Sequence, residues 1–209
     1  MITIVDCGLG NIGSIVNMLR KVGIAAQRVS TIDGIAKAEK LILPGVGSFD
    51  HGMRSLRENG LIEVLSERVI RREVPMLGIC LGMQLLTESS EEGNEPGLGW
   101  LKAKTVKFHF EERHADLKIP HMRWNEVHPV RRDTLFHDLD DDAGFYFVHS
   151  YHVVCENQKD VLATANHGYD FACAVQRGNI FGTQFHPEKS HRYGMTLLKQ
   201  FVQLSSNRC

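Results

Sequence analysis

Cys80 lies in Gly78-Ile79-Cys80-Leu81-Gly82, where an apolar run passes into residues with helical spacing. A Gly-x-nucleophile-x-Gly segment between a strand and a helix is a nucleophile elbow, here with a thiol in place of a hydroxyl. Glycines are required on both sides because the turn is sharp and leaves no room for flanking side chains. The elbow would present the sulfur at a helix start, where backbone N–H groups favour the thiolate. An unperturbed thiol, with a pKa of about 8.5, is mostly protonated at neutral pH, so covalent catalysis needs a base and the base needs an orienting group. Of the 11 histidines, His186 ends the apolar run 180–185 and is followed by Pro187-Glu188. The fixed φ of Pro187 can hold the imidazole toward the thiol while Glu188 fixes its tautomer. A third element, Gly45-Val46-Gly47, closes another apolar run, and glycines there let backbone amides face a developing oxyanion. The three together point to acyl transfer or hydrolysis at a carbonyl.

Two other patterns compete. Gly8, Gly10 and Gly13 follow an apolar run and open a helical one, with Asp33 further on, which fits a dinucleotide-binding fingerprint. That reading leaves the elbow, His186-Pro187-Glu188 and the glycine turn without a purpose. His149, His152 and Cys155 suggest a metal, but residues three apart on one strand point to opposite faces, so no metal site is expected. Cys7, Cys155, Cys173 and Cys209 lack the context of Cys80 and read as unreactive.

The elements that must position these groups fall into two halves. Residues 1–6, 24–30, 40–43 and 75–79 read as buried strands. Between them, Ile12, Ile15, Val16, Leu19 and Val22 recur at helical spacing, and Met53, Leu56, Leu61, Ile62, Leu65 and Val69 do so less regularly. Alternating strands and helices predict a parallel sheet with crossover helices. Beyond Trp100 the chain is richer in strands, at 100–110, 145–154, 161–165, 171–176 and 180–185, before a final helix over 193–204. Residues 91–99, 111–116 and 138–142 read as surface loops and turns. The expected fold is one α/β domain over residues 1–209, with a mostly parallel central sheet, helices on both faces and an added strand-rich section in the C-terminal half.

Composition narrows the setting. With 24 Lys and Arg against 25 Asp and Glu, the net charge of −1 gives no bulk field for nucleic acid or an anionic membrane. The doublets Arg71-Arg72 and Arg131-Arg132 read as solvated faces. Five cysteines without a C-x-x-C pair argue against a disulfide framework and a structural zinc site, and for a reducing compartment. No targeting or membrane-spanning run is seen, and a cytoplasmic location is expected.

Several motifs occur in a fixed order along most of the chain. They are Asp6 to Asn11, Pro44-Gly45-Val46-Gly47-Ser48-Phe49, Gly78 to Leu86, Pro120 to Val127, Tyr146 to His152 and Phe185-His186-Pro187-Glu188-Lys189-Ser190. Together they resemble the class I glutamine amidotransferases. The resemblance implies a flavodoxin-like α/β fold and glutamine hydrolysis by a Cys80-His186-Glu188 triad without a cofactor. It also implies transfer of the ammonia through a tunnel to a separate (β/α)8-barrel cyclase subunit. By the same matching, Gly45, Gly47, Gln84 and the backbone of His149-Ser150-Tyr151 surround the glutamine, and Val46 and Leu81 supply the oxyanion amides. Asn11, Met122, Trp124, Tyr146 and Lys189 match positions facing the cyclase, where they would line the interface and gate. The histidine-pathway cyclase is the first expected partner, and a cyclase-like enzyme of ammonia-dependent sugar modification is the alternative. A stand-alone cysteine hydrolase with the same triad, or a purely structural subunit with a dead site, would differ by acting without a partner or by tolerating loss of Cys80. The family usually has glycine between Met122 and Trp124, where this chain has Arg123. If a left-handed turn is kept there, Arg123 would be strained or the loop changed.

Overall fold

A computed structural model describes residues 1–111 and 116–204. Most of the charged turn expected at 111–116 lies outside the described residues, as does Cys209. The N-terminal half follows the expected alternation. Strand β1 (Ile2–Val5) is followed by α1 (Ile12–Lys21), β2 (Ala26–Val29), α2 (Ile32–Ala36), β3 (Leu41–Gly45), α3 (Phe49–Glu58), α4 (Leu61–Ser66), β4 (Met76–Cys80) and α5 (Leu81–Leu85). Thereafter come the two-residue β5 (Ser89–Ser90), β6 (Ala103–Lys107), β7 (His121–Glu126), β8 (His128–Pro129), β9 (Gly144–His149), β10 (Tyr151–Cys155), β11 (Val161–Asn166), β12 (Asp170–Arg177), β13 (Ile180–Thr183) and α6 (His191–Gln203).

The main sheet runs β2-β1-β3-β4-β13-β12-β10-β6-β5. Its first five strands are parallel, and β13, β12, β10 and β6 continue as antiparallel neighbours. Strand alternation divides the core into two layers. Ile2, Ile4, Ile42, Leu77 and Ile79 face the layer filled by Ile15 and Leu19 of α1 and by Leu197, Leu198 and Phe201 of α6. Val5, Leu41, Leu43 and Met76 face the layer filled by Met53 and Leu56 of α3 and Leu61 and Leu65 of α4. Strands buried on both faces read as continuous apolar runs, which is why β1, β3 and β4 were legible.

The parallel core explains why distant motifs meet. Because β3, β4 and β13 are adjacent and run the same way, Gly45, Cys80 and the segment after Thr183 all leave the sheet at one edge. Gly45 pairs with Cys80, and Ile79 with Thr183. Ligands of open α/β sheets bind at this carboxyl edge.

The structure departs from expectation in several places. The irregular helical segment 53–69 is two helices, broken at Asn59-Gly60 where Gly60 turns left-handed at φ 66°, and ends in a π-type turn over Glu67–Arg71. The run 145–154 is two strands divided at Ser150: β9 joins β7 in a separate two-stranded ribbon, while β10 enters the main sheet. Strand β7 was not foreseen, since its sequence is mostly polar and exposed. Helix α2, capped by the Thr31 side chain, was likewise missed. Arg123 lies inside β7, paired with Phe147, and is not among the residues of positive φ, so the expected strain does not arise.

Candidate active site

Cys80 occupies a left-handed conformation, φ 54° and ψ −111°, which a non-glycine residue holds only when its surroundings enforce it. Those surroundings are visible at the two glycines. A Cβ on Gly82 would lie 1.9 Å from the Leu43 carbonyl oxygen, and one on Gly78 would lie 2.6 Å from the Gly82 carbonyl oxygen. The elbow is thus packed directly on β3. Helix α5 has only five residues, so the amides of its first turn, rather than a long macrodipole, are what it offers the sulfur. Cys7, Cys155 and Cys173 are buried and free. Burial pushes the Cys7 thiol up to about 11, the Cys155 thiol up to about 12 and that of Cys173 well above its ordinary value, which disfavours the reactive thiolate at all three.

His186 leaves the end of the β13 segment and is held from several sides. Its Nδ1 lies 2.7 Å from Glu188 Oε1, and the two side chains are 2% and 4% exposed. Burial alone would lower the imidazole pKa, but hydrogen bonding to Cys80 and Glu188 and their negative charge outweigh it and raise it to about 10. His186 is therefore poised as an imidazolium. Because Nδ1 is engaged by Glu188, the nitrogen left for the thiol is Nε2, which is buried with no nitrogen or oxygen partner among the described residues. The preceding Phe185 packs on Phe145 with ring centroids 4.1 Å apart and on Phe147 at 5.6 Å, which locks the approach of this segment. Ser190 completes the support: its hydroxyl donates to the His186 carbonyl at 2.6 Å and accepts from the Tyr146 amide at 3.1 Å.

A cavity of about 410 Å³ is lined by Cys80, His186, Val46, Gly47, Leu81 and Gln84, and by His149, Ser150 and Tyr151. The structure thus gathers these sequence-predicted positions around one sulfur, with Gly45 beneath them as the strand partner of Cys80. Gly47 has φ 108°, a conformation L side chains rarely adopt. Glu92, Pro120 and Val148 also line the cavity and were not foreseen: Glu92 lies in a loop outside the motifs, and Pro120 and Val148 lie within motifs but carry no reactive side chain. Gln184 was missed as well; it is fully buried, and its Nε2 lies 3.7 Å from Cys80 Sγ.

Four of the five expected interface residues gather on the β7–β9 ribbon and the turn after His186. Met122 is 62% and Trp124 46% exposed, Trp124 packs edge-on to Tyr146, and the Lys189 ammonium sits 5.3 Å above the Tyr146 ring. His191, in the left-handed region at φ 45°, stacks on Trp124 at 5.3 Å and was not anticipated. Asn11 is apart from these contacts and caps α1 by accepting from the Ser14 amide. Asp33, the acidic residue of the competing dinucleotide pattern, lies in the first turn of α2 rather than at a strand end.

His149 and His152 are on consecutive strands of different sheets, so the single-strand argument about them does not apply. Both rings instead pack on Phe108, at 5.3 and 4.7 Å. A chain of hydrogen bonds fixes their neighbours' tautomers. The Tyr151 carbonyl can only accept, so His149 Nδ1 donates to it at 2.7 Å, His121 Nδ1 donates to His149 Nε2 at 3.0 Å, and Asn125 donates to His121 Nε2 at 3.2 Å. Burial lowers the pKa of His121 to about 3 and of His152 to about 4, and places that of His149 well below its ordinary value. With the folded values below the unfolded one near 6.5, stability is intact above that pH and falls as pH drops toward 3–4, by about 1.4 kcal/mol per pH unit for each histidine that is protonated only in the unfolded chain. Urea midpoints should therefore be clearly lower at pH 5 than at pH 7. His152→Gln, which cannot titrate, should narrow that difference; an equal difference in the variant would refute the assignment.

A family model described as glutamine amidotransferase class-I matches residues 3–204. The chain is 50% identical over 204 residues to imidazole glycerol phosphate synthase subunit HisH 2 of Pseudomonas aeruginosa, covering 98% of this chain and 100% of that one. It is 51% identical over 203 residues to the protein of the same description from Methanococcus maripaludis, covering 97% and 99%. Among solved structures, that of PurLQS from Thermotoga maritima superposes with a TM-score of 0.71 at 19% identity, covering 96% of each chain, a likeness of fold.

Proposed function

The chain belongs to the class I glutamine amidotransferase family, and on that premise we propose that it is the glutaminase subunit of imidazole glycerol phosphate synthase, acting in histidine biosynthesis. The observation that carries the catalytic assignment is the buried His186–Glu188 pair, 2.7 Å apart, whose His186 lines the same cavity as Cys80. Attack of the Cys80 thiolate on the glutamine side-chain amide carbon forms the S–C bond and a tetrahedral oxyanion, which the amides of Val46 and Leu81 receive. His186 Nε2–H gives its proton to the departing nitrogen as the C–N bond breaks, releasing ammonia. Water then attacks the γ-glutamyl thioester, His186 takes its proton, and glutamate leaves as the thiolate is restored. Glu188 holds the imidazole's tautomer throughout. Gly47, Gln84 and the His149-Ser150-Tyr151 backbone hold the substrate, with Gly45 fixing the turn.

Ammonia protonated in bulk water is no longer a nucleophile, so the site gains from closing against the subunit that uses it. We assign the exposed face of Met122, Trp124, Tyr146 and Lys189, with Asn11, to docking a (β/α)8-barrel cyclase. Tyr146 supports this coupling, since its ring belongs to that face while its carbonyl accepts from the His186 amide at 2.9 Å. The whole of residues 1–209 acts as one domain, without a cofactor, in the cytoplasm. The free cysteines favour a reducing compartment, and among the described residues no helix is long and apolar enough to cross a membrane. A second reading of the acceptor, a cyclase-like partner in ammonia-dependent sugar modification, rests on Arg123, a charged residue of the exposed β7 strand where the family usually has glycine.

Co-expression with the histidine-pathway cyclase tests the assignment. The two chains should co-purify, and the pair should make product with glutamine or with ammonium salts, while the free chain hydrolyses glutamine slowly. Rapid hydrolysis by the free chain with no association would refute the partner, and association without glutamine-dependent turnover would favour the second acceptor.

A further inference from the structure

We propose that Gln184 is a positioning residue for the nucleophile: its side-chain amide donates a hydrogen bond to the Cys80 sulfur, and Gln84 locks that amide in the donating orientation. The inference deepens the glutaminase reading and rests on it only for its consequence in turnover. Gln184 lies between β13 and His186, is fully buried, and is anchored through its backbone amide to the Cys173 carbonyl at 2.8 Å. Its Nε2 is 3.7 Å from Cys80 Sγ, within reach for sulfur, whose large radius lengthens such bonds. The orientation follows from what each neighbour can do. The Tyr151 carbonyl can only accept, so Gln84 must turn Nε2 toward it, at 3.1 Å. The second hydrogen of that same nitrogen points to Gln184, which must answer with Oε1, also at 3.1 Å. The Gln184 Nε2 is then left facing the sulfur.

The protonated thiol has a different partner. It can donate only weakly, to the Val148 carbonyl at 4.0 Å, and that bond disappears on ionisation. The Gln184 N–H is complementary to the thiolate, so it favours the charged form, in company with the His186 imidazolium. It also fixes where the sulfur sits before attack. Once the thioester forms, the sulfur is neutral and the bond weakens, so the amide serves the nucleophile rather than the acyl-enzyme.

The test is the pH dependence of Cys80 alkylation by iodoacetamide in the full chain, without glutamine. Replacement by a side chain of similar length with no donor, Gln184→Met, should raise the alkylation midpoint by about one pH unit, which is about tenfold less thiolate at a fixed pH below it. Glutamine turnover should show about a tenfold lower kcat with KM changed less than about threefold, as expected for a group acting on the nucleophile. Gln184→Asn keeps an amide but withdraws it from the sulfur, and should shift the midpoint the same way; it stands in if the methionine variant does not fold. A midpoint unmoved in a folded variant would overturn the proposal. Alkylation does not involve glutamine, so that result would leave the glutaminase reading intact, whereas a shifted midpoint in a chain that never hydrolyses glutamine would uphold the Gln184 contact and defeat the function.

Discussion

Cys80→Ala is expected to reduce glutamine-dependent synthesis by the complex at least about 10⁴-fold, while synthesis from ammonium salts proceeds at the normal rate. The size follows from covalent catalysis: without the sulfur no γ-glutamyl thioester can form, and water alone must attack an amide. The split follows from the division of labour, because ammonia supplied in solution bypasses this chain's chemistry. His186→Ala should produce nearly the same loss, and the double variant little more, since the two groups act as one unit. Steady-state assays with each nitrogen source decide the matter. Undiminished glutamine use by a Cys80→Ala complex would remove the triad from the reaction and leave the chain as a structural subunit.

The second large effect falls on folding. Gly82→Ala adds one methyl group 1.9 Å from a backbone oxygen of β3, which cannot rotate away as a side chain could. Relief requires β3 or the elbow to shift, and we expect a loss of at least about 3 kcal/mol, or a drop in Tm of roughly 6–12 °C for a chain of this size. Any protein that folds should alkylate slowly at Cys80, because the left-handed turn that presents the sulfur would have moved. Gly13→Ala is the matching control. There the nearest atom to a new Cβ is the Asn11 Oδ1 at 3.7 Å, and the site is helical. That change should be neutral or stabilise by up to about 1 kcal/mol. Equal melting temperatures for Gly82→Ala and the native chain would contradict the packing described for the elbow. The pair also separates the two glycine motifs: those around Cys80 are sterically required, whereas the third glycine of the N-terminal pattern is not.

How far each part could be read from the chain depended on its physical signature. Strands β1, β3 and β4 are buried on both faces and stand out as apolar runs, and Ile12, Ile15 and Leu19 mark α1 by their spacing. Strand β7 gave no such signal, because its ribbon exposes Met122, Arg123 and Trp124. The break at Ser150 was hidden for the opposite reason: Tyr146 to Val154 is a continuous strand-forming run, and only the packing of Phe147 in one layer and the pairing of β10 with β6 sends its halves to different sheets. Gln184 is an unremarked amide in sequence, since nothing local to it reveals a sulfur 104 residues away in the chain.

The residue types and their order determined the chemistry. A cysteine between glycines, a histidine tied by proline to a glutamate, and a glycine turn after a strand each carry local constraints that a linear reading can recognise. Their meeting was decided by tertiary structure, because three parallel neighbours, β3, β4 and β13, end at one edge and bring Gly45, Cys80 and His186 together. So were the charge state of His186 and the direction of the Gln184 amide. Both depend on burial and on partners distant in sequence, and those forces act through space rather than along the chain.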